Sequence, residues 1–237
     1  MPTAFSTHSA GSPQDIRAAG GAVYVQGSQS LLTLDKGIFA YNRASHGGAV
    51  AQLADSDSAL DVRGPASFSE NVAKNMGGAM SAGEGVKVTI RGGTFFNNSA
   101  IAENAAGGGL YCQRCGHVVI IGSNFTSNSA PFGGGAALLQ AQGSSVITNT
   151  QFVHNVALPP RLINDTMKLL HQEASLEADD TKGKDAALFE GLQVVDNTTI
   201  DSGAYGGGGG LYVSLIAPFD INGSIIFQDN VGLSGGE

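Results

Sequence analysis

Residues 77–100, GGAMSAGEGVKVTIRGGTFFNNSA, decide the fold. They open with Gly77-Gly78-Ala79 and pass into a short apolar run. A second run, Val86-Lys87-Val88-Thr89-Ile90, alternates apolar and polar residues, which is the two-residue period of a strand with one buried face. A glycine turn then leads into Phe95-x-x-Asn98-x-Ala100. Each run is about four residues long and is broken by Gly, Asn or Ser, too short for a helix.

The same order of signals recurs along most of the chain, and self-similarity at a fixed period marks a repeat architecture. Six copies of F-x-x-N-x-[A/G] start at Phe39, Phe68, Phe95, Phe125, Phe152 and Phe227, with their asparagines at Asn42, Asn71, Asn98, Asn128, Asn155 and Asn230. Phe5 to Ala10 is a degenerate further copy. Glycine pairs interleave with these at 20–21, 47–48, 77–78, 107–108, 134–135, 208–209 and 235–236, so that successive spacings are 27, 30, 30, 27, 74 and 27. Three short strands are expected per unit; in the first full unit they fall at 22–25, 31–34 and 38–41. Two-residue hairpin turns are not regularly placed, which disfavours an antiparallel meander. The expectation is an all-β parallel β-helix of about seven coils of 27–30 residues, each pairing with the next at about 4.8 Å. In such a fold the glycine pair takes a corner that a Cβ would oppose. Each Phe stacks on the Phe of the next coil. Each Asn sits at a turn, where its amide bonds the backbone and the neighbouring Asn. These twelve Phe and Asn residues are therefore read as the skeleton of the fold.

Composition fits that reading. Gly is 35 of 237 residues, about twice the usual share, without the every-third-residue spacing of collagen. At 42% hydrophobic the chain can build a core, and only 14% of residues are charged. Net charge is −8, from 12 basic and 20 acidic residues, so nucleic acid and anionic membrane surfaces are not expected partners. No run approaches the roughly 18 apolar residues of a membrane span, and the N-terminal MPTAFSTHSAGSPQ has neither the charged nor the apolar region of a signal peptide.

The 74-residue step marks an insertion. Residues 158–205 read as one long arm at a coil corner, with nine acidic and four basic residues and so −5 of the total −8. Pro159-Pro160 stops the preceding strand. Residues 161–178 are expected to be helical, with Ile163, Met167, Leu170 and Ala174 on one face; 177–185 are a solvated loop; 186–195 form an added strand or a second short helix. Such an arm either packs on the solenoid as decoration or contacts a partner.

Few residues carry chemistry. The only cysteines, Cys112 and Cys115, form one C-x-x-C with no second pair, so a zinc site is not expected; a local disulfide and two free thiols remain the alternatives. Sequons occur at Asn97, Asn124, Asn164, Asn197 and Asn222, where composition alone gives about two; they are candidate glycosylation sites. His8, His46, His117, His154 and His171 show no metal or catalytic spacing, and Asp179-Asp180 is read as a solvated pair in preference to a calcium site. The glycine run 206–210 lacks the Lys-Ser/Thr of a phosphate loop. No cofactor is expected.

The alternation of GGAV or GGAM (20, 47 and 77) with FAYN, FSEN, FFNN, FTSN, FVHN and FQDN resembles the repeats of the chlamydial polymorphic outer-membrane proteins, within the pectin-lyase-like superfamily. The resemblance covers nearly the whole chain except 158–205. It implies a right-handed β-helix in one domain, 1–237, and an extracellular or surface-exposed adhesive role with a protein or glycan ligand. The chain ends at Gly235-Gly236-Glu237, the opening of a further coil, and a solenoid needs a cap over its last strands. The sequence is therefore expected to be a piece of a longer protein whose flanking coils are missing. The function expected is non-enzymatic binding through the solenoid flanks and the acidic arm. The alternative is a polysaccharide lyase or hydrolase, which needs carboxylates clustered on adjacent coils. Asp35 and Asp61 are read as equivalent positions in neighbouring coils, followed by Arg91 and Gly122, and no further acid extends the pair.

Overall fold

The computed structural model describes residues 4–6, 19–53, 57–158, 192–195, 209–215 and 217–232. They form a parallel β-solenoid, with no helix among them. Three long sheets run its length. The first contains Ala4–Ser6, Ile38–Ala40, Ser67–Ser69, Thr94–Phe96, Asn124–Thr126, Gln151–Val153 and Ile226–Gln228. The second contains Val23–Gln26, Val50–Leu53, Met80–Ala82, Leu110–Gln113, Ala136–Ala141, Leu211–Leu215 and Leu192–Val195, in that spatial order. The third contains Leu31–Asp35, Ala59–Arg63, Lys87–Arg91, His117–Ile121, Ser145–Thr148 and Phe219–Asn222. Among the described residues the third sheet has six strands, so fewer complete coils are described than the seven expected. Ala4–Ser6 belongs to the first sheet, where Phe5 stands in register with Phe39.

A fourth ladder, not expected from the sequence, follows the asparagine in each coil. Arg43–His46, Val72–Met76 and Ser99–Ala100 pair along one corner, and Val156–Ala157 pairs with Val231–Gly232. The small Ala44, Ala73 and Ala100 stack there, and a large side chain would push the coils off this corner.

The core is a set of columns of like residues. Phe39, Phe68, Phe95, Phe125 and Phe152 are fully buried, and rings in successive coils stack at 4.5–5.1 Å out to Phe227. Leu60, Val62, Val88, Ile90, Val118, Ile120 and Ile147 fill the interior beside them. The asparagine column closes a continuous chain of bonds. The Asn98 Nδ2 donates to Asn128 Oδ1 at 2.9 Å and to the Phe68 carbonyl at 3.0 Å, while its Oδ1 accepts from the Asn71 Nδ2 and backbone N–H. The same set repeats from Asn71 to Asn155, so each of these buried amides has all four positions satisfied. The residue before each asparagine is left-handed: Tyr41, Glu70, Asn97, Ser127, His154 and Asp229 all have φ between 49° and 60°.

The glycine corner needs two different properties. Gly47 has φ +56°, and a Cβ on Gly48 would run into the carbonyl of Gly78 in the next coil. At the fifth corner these roles fall on Gly133, with φ +59°, and Gly134, which faces the Gly209 carbonyl. The pair is thus 133–134, one residue before the pair expected at 134–135.

A second, smaller core lies outside the solenoid, where the fourth ladder meets the second sheet. One column runs Ala19, His46, Met76, Ala106, Phe132 and the other runs Tyr24, Ala51, Ser81, Tyr111, Ala137, Tyr212. Ala106, Tyr111 and Ala137 are buried together against Met76, Phe132, Leu139 and Tyr212. Large and small residues trade places five positions apart: Met76 with Ser81, Ala106 with Tyr111, Phe132 with Ala137.

Residues 161–178, expected to be helical, lie outside the described residues, as does most of the arm. Leu192–Val195 is an added strand, one of the two forms expected for 186–195. It precedes Leu211–Leu215 in sequence but pairs parallel to its far edge, Leu192 opposite Leu211.

Candidate functional site

The outward face of the third sheet gathers charge. Its strands alternate, so that Leu34, Val62, Ile90, Ile120 and Ile147 point inward while the residues between them face solvent. Register then sets the outward columns. Asp35 pairs with Arg63, whereas Asp61 lies opposite Thr33 and Thr89. The expected equivalence of Asp35 and Asp61 is therefore wrong, because the two carboxylates sit two positions apart along their strands. Asp35 lies four residues before Phe39 and Asp61 seven before Phe68; the extra residue in the corner Gly64-Pro65-Ala66, against Lys36-Gly37, takes up one of those three, and two remain.

Asp61 is the centre of the cluster. Its carboxylate accepts from Arg63 Nε at 2.7 Å and Nη2 at 2.6 Å, and lies 3.5 Å from Arg91 Nη1. The Asp61 side chain is 15% exposed, while Arg63 and Arg91 are 58% and 54% exposed. Arg63 and Arg91 follow paired residues Val62 and Ile90, so they stack as like charges on adjacent coils. Such stacking opposes stability, and the shared carboxylate offsets part of it. Lys87 stands on the same outward face and Lys36 at the corner after Asp35, while Asp220 of Phe219–Asn222 adds a further outward carboxylate. Exposed guanidiniums of this kind can pair with an anion.

The remaining candidates are dispersed. Cys112 and Cys115 form a disulfide, and both are fully buried in the main core. The Cys112 strand lies between Ala82 and Leu138 of the adjacent coils. Of the sequons, Asn124 is exposed on the outward face of the first sheet, Asn222 is exposed at the end of its strand, and Asn97 is half-buried at the left-handed turn. Asn164 and Asn197 lie outside the described residues, as do Asp179 and Asp180. His154 Nε2 is 2.9 Å from Asp229 Oδ2, and His117 Nδ1 is 3.3 Å from Ser144. Among the described residues no three His, Cys, Asp or Glu side chains converge as metal ligands, and no helix is long and apolar enough to cross a membrane.

Two tyrosines of the outer core are electrostatically distinct. Burial pushes the Tyr111 phenol up to about 12 and raises Tyr212 as well. Tyr41 is raised by its hydrogen bond to Glu70 and then by the charge of that carboxylate. Neither the buried outer core nor the arginine pair was read from the sequence. An i, i+5 exchange of large and small residues was the available signal for the first, and Asp-x-Arg at 61–63 followed by Arg91 one coil on for the second. Compared with protein-family profiles, curated proteins and solved structures, the chain matches none.

Proposed function

We propose that the chain is a non-enzymatic binding scaffold: a surface or extracellular β-helix related to the chlamydial polymorphic outer-membrane protein repeats, within the pectin-lyase-like superfamily. Its role is adhesion or partner binding. The observation that carries this reading is the outward face of the third sheet. Two exposed guanidiniums share one carboxylate there, while Asp35 stands off from it in register. A retaining or inverting glycosidase needs two carboxyl groups across one bond, and a lyase needs a base beside an activated carbohydrate. An anion-binding face on a rigid sheet serves recognition instead.

The interior positions support the same reading. The recurrent Phe, Asn and Gly residues are consumed by the stacking, amide and corner contacts that build the solenoid. Ligand contact then falls to the outward columns and the acidic arm. The test incubates the protein with polygalacturonate, alginate and chondroitin sulfate, with and without calcium, and measures both product release and retention. The expected result is no released oligosaccharide. Turnover abolished by Asp61→Asn would overturn the reading and make this face a catalytic one.

A further inference from the structure

We infer that the outward face of the third sheet is a docking surface for an acidic, aliphatic protein segment; the inference rests on the binding-scaffold reading above and names its site and partner. Along that face the chemistry changes at the fourth strand. At Leu31–Asp35, Ala59–Arg63 and Lys87–Arg91 most outward residues are charged or polar, with Arg63, Lys87 and Arg91 exposed, and only Leu31 and Ala59 at the strand starts are apolar. At His117–Ile121 and Ser145–Thr148 they are mainly aliphatic, with His117 and Thr148 at the ends, and beyond them Asp220 of Phe219–Asn222 stands outward in register with Val146. Val119 stands in register with Val146, and Ile121 stands in register with Arg91 on one side and Thr148 on the other. Val119, Ile121 and Val146 are half-buried and outward, so they face solvent with no described element over them.

Two features select the partner. First, charge: the cations Arg63, Lys87 and Arg91, with Lys36 at the corner, outnumber the carboxylates of the face, Asp35, Asp61 and, three strands beyond Arg91, Asp220, on a chain whose net charge is −8. A basic face on an acidic protein directs a carboxylate-bearing partner to this spot. The Arg91 guanidinium touches Asp61 through Nη1 at 3.5 Å, leaving its other donors for a carboxylate. Second, the aliphatic columns: Val119, Ile121 and Val146 lie one or two coils, about 5–10 Å, from Arg91 and two or three from Arg63. Uncharged aliphatic surface gains from burying another aliphatic side chain, and contributes little to a sugar ring, which seeks aromatic platforms and hydrogen bonds. A segment with Asp or Glu at one end and Val, Ile or Leu at the other matches both halves of the face. A polyanionic glycan matches only one.

The test selects a random peptide display library against the whole chain and measures the affinity of the winners by fluorescence anisotropy. The expected winners combine acidic with aliphatic residues. They bind about ten-fold more weakly to Arg63→Gln/Arg91→Gln and to Val119→Thr/Val146→Thr. The second variant keeps β-branched side chains, so it preserves the strands even where loss of both arginines strands Asp61 and weakens the fold. Failure to enrich such peptides overturns the inference, and so does binding that both variants retain. Retention on immobilised heparin that is lost with the arginine variant and kept by the threonine variant would assign the face to a glycan and also overturn it. Product release from polysaccharide, by contrast, breaks the binding-scaffold reading itself.

Discussion

The inner ladder and the outer core solve the same problem in opposite ways. Inside, every coil repeats the same residue: Phe over Phe at 4.5–5.1 Å and Asn over Asn at 2.9–3.0 Å. Outside, no position repeats; volume is traded between two columns, Met76 with Ser81, then Ala106 with Tyr111, then Phe132 with Ala137. The inside is closed by neighbouring coils, so a change in one layer is felt above and below. The outside is bounded on one side by solvent, so only the sum of the two residues must be kept. Identity is required where each group contacts a copy of itself, and complementarity suffices where it does not.

If that contrast holds, the largest losses fall in the middle of the inner ladder. Phe95→Ala removes a ring stacked on both sides, at 4.9 Å to Phe68 and 4.5 Å to Phe125, and should cost about 3–5 kcal/mol in urea unfolding. Asn98→Ala leaves the Phe68 carbonyl and the Asn71 N–H without their bonds, and should cost about 3 kcal/mol or more. A loss below about 1 kcal/mol in either variant would mean that the ladder is not a mutual contact.

What could be read from the sequence follows the same division. The inner ladder was legible because one residue type recurs at one place: six Phe and six Asn fixed the strands, the coil period and the corner. The disulfide was left open, since a C-x-x-C between two strands does not reveal whether both sulfurs face inward, as Cys112 and Cys115 do. The face around Asp61 is hard to register from sequence because both loop and corner lengths vary between coils: Asp35 is four residues before its phenylalanine and Asp61 seven, and strand pairing puts Asp35 opposite Arg63. The run Gly133-Gly134-Gly135 hid the phase of the fifth corner, because any two adjacent glycines in it match the motif and only the neighbouring carbonyls choose. The outer core was missed because neither of its columns is regularly apolar; the pattern exists only in pairs.

That pairing predicts coupling. Ala106→Phe overfills the outer core and Tyr111→Ala leaves a hole in it, each at about 2 kcal/mol. The double variant should recover at least about 1 kcal/mol of the summed loss, a non-additivity read from a double-mutant cycle. Additive losses would break the comparison, since they would make the outer residues independent. Tyr111 gives a second handle. Burial raises its phenol to about 12, above the ordinary value of 10.0. Between those values the unfolded chain has released the proton while the folded one keeps it, so stability falls as pH rises from about 10 to about 12. The fall attributable to this group is about 2 kcal/mol or less, and Tyr111→Phe should remove it while leaving stability at neutral pH within about 1 kcal/mol.

The smallest effect belongs to the turn that joins the two regions. Tyr41, Glu70, Asn97, Ser127, His154 and Asp229 share the left-handed turn before the asparagine, yet no residue type recurs among them. Backbone conformation is repeated there while side-chain identity is free, so the position combines the inner rule with the outer one. Asn97, at φ 52°, tests it. The amide ladder runs through Asn98 and not through Asn97, so substitutions at 97 should act mainly through the backbone. Asn97→Gly removes the Cβ that opposes φ > 0 but adds freedom to the unfolded chain, and should change stability by less than about 0.5 kcal/mol. Asn97→Val places a β-branched residue in the same conformation and should cost about 1–2 kcal/mol in thermal or urea unfolding. Equal stability of the glycine and valine variants would show that the turn relaxes out of the left-handed region, and the asparagine ladder would then be holding the corner without it.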